Sequence, residues 1–283
     1  MDFPNIDPVL IEIGPFAIRW YALAYIVGLI GGWWLLRRLV AQPPYAMKAE
    51  QVDDLLVWAT LGTVLGGRLG YVLFYNLPAY MDDPLRALMV WEGGMAFHGG
   101  LIGVILAVIL FCRRHKLPLW QVADAVACVS AIGLLFGRIA NFINGELFGR
   151  VAPPDLPWAM VFPRGGPDPR HPSQLYEAAL EGLLLLVLML LLWRFTKLRF
   201  QPGQLAGIFL VGYALARITA EFYREPDAHI GFLAMGVTMG QLLSLPMLAV
   251  GVAFIWRARR GPVLEVTAPP KAGKAKKAGA KAS

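Results

Sequence analysis

A chain of 283 residues with 57% hydrophobic and only 16% charged side chains is poorly matched to water as its sole solvent, since soluble domains carry about 25% charge. Its formal net charge of +7 is gathered beside apolar runs and in a terminal tail, a placement that fits anionic lipid headgroups and argues against a nucleic-acid partner. The two cysteines, Cys112 and Cys128, lie inside apolar runs without CxxC or metal-like spacing, and no His/Asp/Glu cluster has ligand spacing, so no metal or cofactor is expected.

The first segment, MDFPNIDPVLIEIGPF, lacks the basic region of a cleavable signal peptide, so targeting is expected to fall to the first membrane segment. A bilayer core takes roughly 20 mostly apolar residues per helix. Seven stretches qualify, at about 18–36, 55–75, 97–112, 122–143, 175–193, 205–222 and 237–256. The third is short, and its start at His98-Gly99-Gly100 looks irregular. This predicts an all-α polytopic membrane protein of seven transmembrane helices. Residues 1–260 form the membrane domain, with an extramembrane loop at about 145–174 whose Pro and Gly residues read as turns. A basic tail over 261–283, ending KAGKAKKAGAKAS, is too poor in apolar side chains to order itself.

Lys and Arg in alternate loops set the orientation. Arg37, Arg38 and Lys48, then Arg113, Arg114 and Lys116, then Arg194, Lys197 and Arg199, then Arg257, Arg259 and Arg260 all crowd helix ends on one side. The opposite loops hold Arg86 among acidic residues, then Arg150, Arg164 and Arg170, then Arg224. The amino terminus is therefore expected outside and the carboxyl terminus in the cytoplasm. No internal repeat of the kind many transporters carry is visible.

Ionisable residues at membrane depth are functional candidates by default. Arg19, Arg68, His98, Arg138, Asn141, Asn144, Glu146, Glu177, Arg217, Glu221 and Arg224 all map near the outer ends of their helices, which predicts one polar layer there. Arg138 and Asn141 are three apart on one helical face, and Asn144-Gly145 reads as a helix end. Arg217, Glu221 and Arg224 recur at i, i+4 and i+7. The planar guanidinium fork suits phosphate; the competing reading is an interhelical clasp in which Arg138 pairs with Glu146 or Glu221. His98 has the titration range for proton transfer. His171 and Ser173 read as cap and loop anchors, with Glu177 the more plausible site member. Tyr21 stands where its hydroxyl can reach a headgroup.

The pieces IRWYALAY, GGRLGYVLFY, GGMAFHGGLIG, GRIANFINGELFG, HPSQLYEA and ARITAEFYREPD followed by MGQLLSLPM carry a resemblance. Up to about Arg260 the chain resembles the bacterial phosphatidylglycerol–prolipoprotein diacylglyceryl transferases, the Gly-Arg-x-x-Asn-Phe-x-Asn-Gly-Glu piece being the most specific. The resemblance implies a seven-helix enzyme of the bacterial inner membrane. Its important positions match here at Tyr21, His98, Arg138, Asn141, Glu146, Gly149, Glu177, Arg217, Glu221 and Arg224, and Asn144 lies in the same motif.

On that basis the substrates are phosphatidylglycerol in the bilayer and a prolipoprotein signal peptide with its lipobox cysteine. The cysteine thiol attacks the glycerol carbon bearing the phosphate, and glycerol phosphate leaves. Arg138 and Arg217 stabilise the departing charge, Asn141 positions the headgroup, and Glu146 and Glu221 orient the arginines. His98 is the first choice of base, with Tyr21 or a phosphate oxygen as alternatives. A membrane lipid transporter or flippase would call for polar groups through the full depth or for repeat symmetry, and neither is visible. An intramembrane serine protease lacks support, since Ser130 and Ser244 have no His partner and no Gly-x-Ser-x-Gly occurs.

Overall fold

Long apolar runs satisfy their backbone polar groups in lipid only by coiling, and the computed structural model is accordingly mostly helix; it describes residues 1–4, 6–14, 16–226 and 231–265. Helices α1 (Trp20–Val40) and α2 (Ala49–Phe74) are joined by a turn, and a short α3 (Leu77–Asp82) leads to α4 (Phe97–His115) and α5 (Leu119–Ile143). After a long loop, α6 (Ser173–Glu177), a π turn (Ala178–Leu184) and α7 (Leu185–Phe195) form one continuous rod. Helices α8 (Gln204–Glu221) and α9 (Met239–Arg260) complete the bundle.

Six of these are long and apolar enough to cross a membrane: α1, α2, α4, α5, the 23-residue rod Ser173–Phe195 and α9. The chain is a polytopic membrane protein. Helix α8, at 18 residues with Arg217 and Glu221 near its end, falls outside that group. The all-α expectation needs one correction. Strands β1 (Val9–Ile13) and β2 (Phe16–Arg19) pair antiparallel before α1, with Ile11 opposite Ile18. A β-branched run punctuated by Gly14 at φ +58° favours that hairpin, so α1 starts at Trp20 rather than 18. The third span is longer than expected, its helix opening directly at Phe97 and running 19 residues. The tail beyond 265 lies outside the described residues.

Two local devices hold the bundle at its ends. Arg68, buried near the end of α2, donates to the carbonyls of Ala87 at 3.0 Å, Arg86 at 2.5 Å, Met89 at 3.0 Å and also Gly93, so the α2–α4 connection folds around it. At the other end Asp124 of α5 accepts the backbone N–H groups of Gly203 and Ala206, both at 2.7 Å, and caps α8 from a neighbouring helix. Between these lies the apolar core, where Phe111, Val122, Ala125, Leu185, Met189 and Leu205 are almost fully buried. Cys112 and Cys128 are free and buried in it.

Helices α2 and α4 approach through glycine. A Cβ on Gly103 would stand 2.9 Å from the carbonyl carbon of Gly62 and 3.0 Å from the Cα of Gly66. Small residues let helices without a hydrophobic driving force gain close packing. We expect Gly103→Val to force the pair apart at about 1–3 kcal/mol, read as a lower thermal midpoint in detergent. Gly32→Ala, with open space around its Cβ position, should leave the midpoint where it was. Equal midpoints for Gly103→Val and the native protein would show that the close approach is dispensable.

Candidate active site

Three helix ends converge on one buried polar cluster. The last turns of α5 bring Arg138, the start of the α6–π–α7 rod brings Glu177 and Glu181, and the end of α8 brings Arg217, Glu221 and Arg224. The Glu177, Glu181 and Glu221 side chains are at most 1% exposed, whereas Arg138 and Arg217 keep 16% and 12%.

Glu177 lies at the centre. One carboxylate oxygen is 3.0 Å from Arg138 Nη1, and the other accepts Arg217 Nη1 at 2.6 Å and is 3.8 Å from Arg224 Nε. Glu181 accepts Nη2 of Arg138 at 3.1 Å and its Nε at 3.3 Å, and its second oxygen is 3.6 Å from Arg217. Glu221 pairs with Arg217 and lies 3.3 Å from Arg224. Glu177 and Glu181, four apart, share one face of the rod, which carries a π turn directly after Glu177; such turns recur at functional sites.

Beside the cluster, α5 ends at Ile143 and the chain turns through Gly145 at φ +62°. The turn points Glu146 back at its own helix, where it accepts Asn141 at 2.8 Å and Asn144 at 3.4 Å. Gln174 donates to the Glu146 carbonyl at 2.7 Å and Ser173 to that of Leu147 at 3.0 Å, tying this turn to the start of α6. Tyr21, in the first turn of α1, contacts Tyr25 through the hydroxyls at 3.3 Å.

The segment after Glu146 is a wedge. Gly149 N–H donates to the His171 carbonyl at 2.9 Å, and Arg150 N–H donates to that of Tyr223 at 2.8 Å, so this stretch pairs on both sides. The Arg150 guanidinium donates to the carbonyls of Glu221 at 2.9 Å and Arg224 at 3.0 Å, capping the end of α8. His171 packs with Tyr176 and Tyr223, and burial pushes its imidazole below the usual histidine range.

A family model described as prolipoprotein diacylglyceryl transferase matches residues 8–257. A phosphatidylglycerol–prolipoprotein diacylglyceryl transferase from Rhodospirillum rubrum is 66% identical over 268 residues, covering 94% of this chain and 97% of that one. The chain belongs to the prolipoprotein diacylglyceryl transferase family. Similar enzymes of the same name from Paramagnetospirillum magneticum and Azospirillum brasilense are 61% and 58% identical, each over 92% of this chain and over 96% and 97% of their own. It is a membrane-embedded transferase.

As a member of this family, the chain gathers most of the residues singled out from sequence. Arg138, Glu177, Arg217, Glu221 and Arg224 meet in the cluster, with Asn141, Asn144 and Glu146 in the adjoining turn and Gly149 in the wedge. His98 stands exposed in the first turn of α4, against Phe97, with no hydrogen bond or ion pair to the cluster among the described residues. Arg19 is exposed at the N-cap of α1, and Arg68 is taken up by its loop carbonyls.

The pairing expected for Arg138 differs from that observed. Its carboxylates are Glu177 and Glu181, neither Glu146 nor Glu221; Glu146 is turned toward the two asparagines, so of the two expected orienting carboxylates only Glu221 serves an arginine. Glu181 went unnoticed in the sequence, although a carboxylate one turn past Glu177 inside the run LEGLLLLVL is the kind of misplaced charge that flags a site. Arg150 was counted only as a loop charge, and nothing in its neighbours announces a helix cap.

A Cβ on Gly149 would lie 2.6 Å from the Tyr223 carbonyl oxygen and 2.7 Å from His171 Cβ. Gly149→Ala is therefore expected to spread the wedge and shift Arg224, lowering turnover at least about tenfold while the helical content by circular dichroism stays native. Unchanged turnover would show that the wedge does not hold the cluster in register.

Proposed function

We propose that this enzyme transfers the diacylglyceryl group of phosphatidylglycerol to the lipobox cysteine of a prolipoprotein. The observation that carries the reading is the meeting of Arg138 and Arg217 around Glu177 in a largely buried site at one end of the bundle. The names of the relatives point to the same two substrates.

The thiolate sulfur attacks the glycerol carbon that bears the phosphate. A C–S bond forms, the C–O bond to phosphate breaks, and glycerol phosphate departs with the electron pair. Arg138 and Arg217 hold the phosphate oxygens, where fixed guanidinium donors at low dielectric oppose the developing charge. Glu177 and Glu221 fix their orientation, and Asn141, held by Glu146, positions the headgroup. A thiol with an ordinary pKa near about 8.5 must lose its proton on attack. The groups proposed to take it are the His98 imidazole, Tyr21 as its phenolate, or a phosphate oxygen of the lipid.

The same reading makes α8 a seventh span and puts the cluster in the outer leaflet of the bacterial inner membrane. The amino terminus then lies outside, the carboxyl terminus in the cytoplasm, and residues 261–283 form an accessory tail on the 1–260 membrane domain. The Arg and Lys residues beside the other helix ends support that orientation. Thiol labelling of Asn5→Cys from outside intact spheroplasts should succeed in a chain lacking Cys112 and Cys128, and labelling of Ala282→Cys should not; the reverse pattern overturns the orientation.

The phosphate role separates from a purely structural clasp through Arg138→Lys and Arg217→Lys, since lysine keeps the charge and loses the two-pronged donor. With phosphatidylglycerol and a lipobox peptide, followed by mass spectrometry of the peptide, turnover per folded molecule is expected to fall on the order of 10²–10³ for each. Near-normal turnover with reduced folded yield would leave the clasp as the better account.

A further inference from the structure

Glu181 is a fully buried carboxylate that the reaction as described above does not use. The following inference rests on the phosphate role given there to Arg138 and Arg217.

Both guanidiniums are already engaged. Arg138 gives Nη1 to Glu177 and both Nε and Nη2 to Glu181, and Arg217 gives Nη1 to Glu177 and Nη2 to Glu221. A phosphodiester can take two-pronged bonds from these forks only if a carboxylate withdraws. The three candidates are not held equally. Glu177 bridges Arg138 and Arg217, and Glu221 bridges Arg217 and Arg224. Glu181 stands 3.1 Å from Arg138 and 3.6 Å from Arg217, against 3.0 Å and 2.6 Å for Glu177, and each of the two has one oxygen buried without a hydrogen-bond partner, so Glu181 has the weaker hold on Arg217.

Glu181 also lies in the π turn Ala178–Leu184, while Glu177 precedes it in α6 and Glu221 closes the regular helix α8. A π turn departs from the i→i−4 hydrogen-bond ladder of a regular helix, and such turns recur at functional sites. Charge points the same way. Among the described residues three guanidiniums stand against three carboxylates, and a phosphodiester brings one more negative charge. Withdrawing Glu181 from the Arg138 fork leaves the guanidiniums with one carboxylate fewer as the lipid phosphate arrives.

We propose that Glu181 is a placeholder anion: it occupies the fork of Arg138 beside Arg217, competes with the phosphate of phosphatidylglycerol for it, and returns to help displace glycerol phosphate after transfer. It is a positioning residue that acts through the arginines. A site whose binding-competent form is held back by an internal competitor binds more weakly by the competent fraction. That cost falls equally on the lipid and on the product that shares its phosphate.

The test uses the full-length enzyme in detergent, with phosphatidylglycerol and a lipobox peptide as substrates and glycerol phosphate as inhibitor. For Glu181→Gln, the KM for phosphatidylglycerol and the inhibition constant of glycerol phosphate should fall together by about tenfold, and kcat should fall because product leaves slowly. A merely structural Glu181 would lower thermal stability and leave both constants unchanged, and that result overturns the proposal. Should Glu181→Gln fold in low yield, Glu181→Asp, whose shorter carboxylate draws back from Arg138, should move both constants the same way by a smaller factor; unmoved constants overturn it equally. If glycerol phosphate fails to compete with phosphatidylglycerol in the native enzyme, the phosphate role of the arginines falls as well. If it competes there and Glu181→Gln changes nothing, only the placeholder falls.

Discussion

The structure depends on keeping three arginines and three glutamates out of water at one end of a helical bundle. Such a cluster gains little net stability, because desolvating each ion costs about as much as the pairing returns. What it supplies is register. Glu177 cannot satisfy both Arg138 and Arg217 unless α5, the rod through the π turn and α8 stand at one relative depth and rotation. Displacing any one of these helix ends would part Glu177 from Arg138 or Arg217, so the three are locked as a unit while their apolar faces would tolerate sliding.

The rest of the fold serves that lock from two directions. At the far end Asp124 holds the start of α8 through two backbone N–H groups, so α8 is pinned at both termini. At the near end Arg150 caps the last turn of α8, and the stretch it belongs to is hydrogen-bonded to His171 and Tyr223 on either side. The loop after α5 therefore belongs to the site, because it fixes where Glu221 and Arg224 can lie. Helices α2 and α4 form a separate glycine-packed pair whose connecting loop is organised by Arg68.

Much of this was legible in the residues. Hydropathy located the helices, because lipid admits little else, and the rule that ionisable groups at membrane depth have work to do picked out Arg138, Glu177, Arg217, Glu221 and Arg224. Pairing was not legible. Spacing along one helix shows which residues share a face, but it does not say which neighbour that face meets, so it offers Arg138 Glu146 or Glu221 where the fold gives it Glu177 and Glu181. The π turn was invisible because LEGLLLLVL reads as uninterrupted helix. The β1–β2 hairpin was hidden by its apolar composition, and Asp124 by an alanine- and valine-rich surround in which one carboxylate looks incidental.

The weak hydropathy of α8 bears on how the chain is made. As the seventh span proposed above, this helix would bring Arg217 and Glu221 into hydrocarbon, yet it falls outside the six helices apolar enough to cross a membrane. The carboxylates on other helices that pair with Arg217 precede it, Glu177 before the π turn and Glu181 within it, while Arg224, which pairs with Glu221, follows directly. Synthesis runs in that order, so when α8 leaves the insertion machinery the counter-charges of Arg217 would already stand in the bilayer. Entry of this segment is then an act of docking onto earlier helices more than a partitioning from water into oil. A chain stalled before α5 and the rod have settled would have no place to put it.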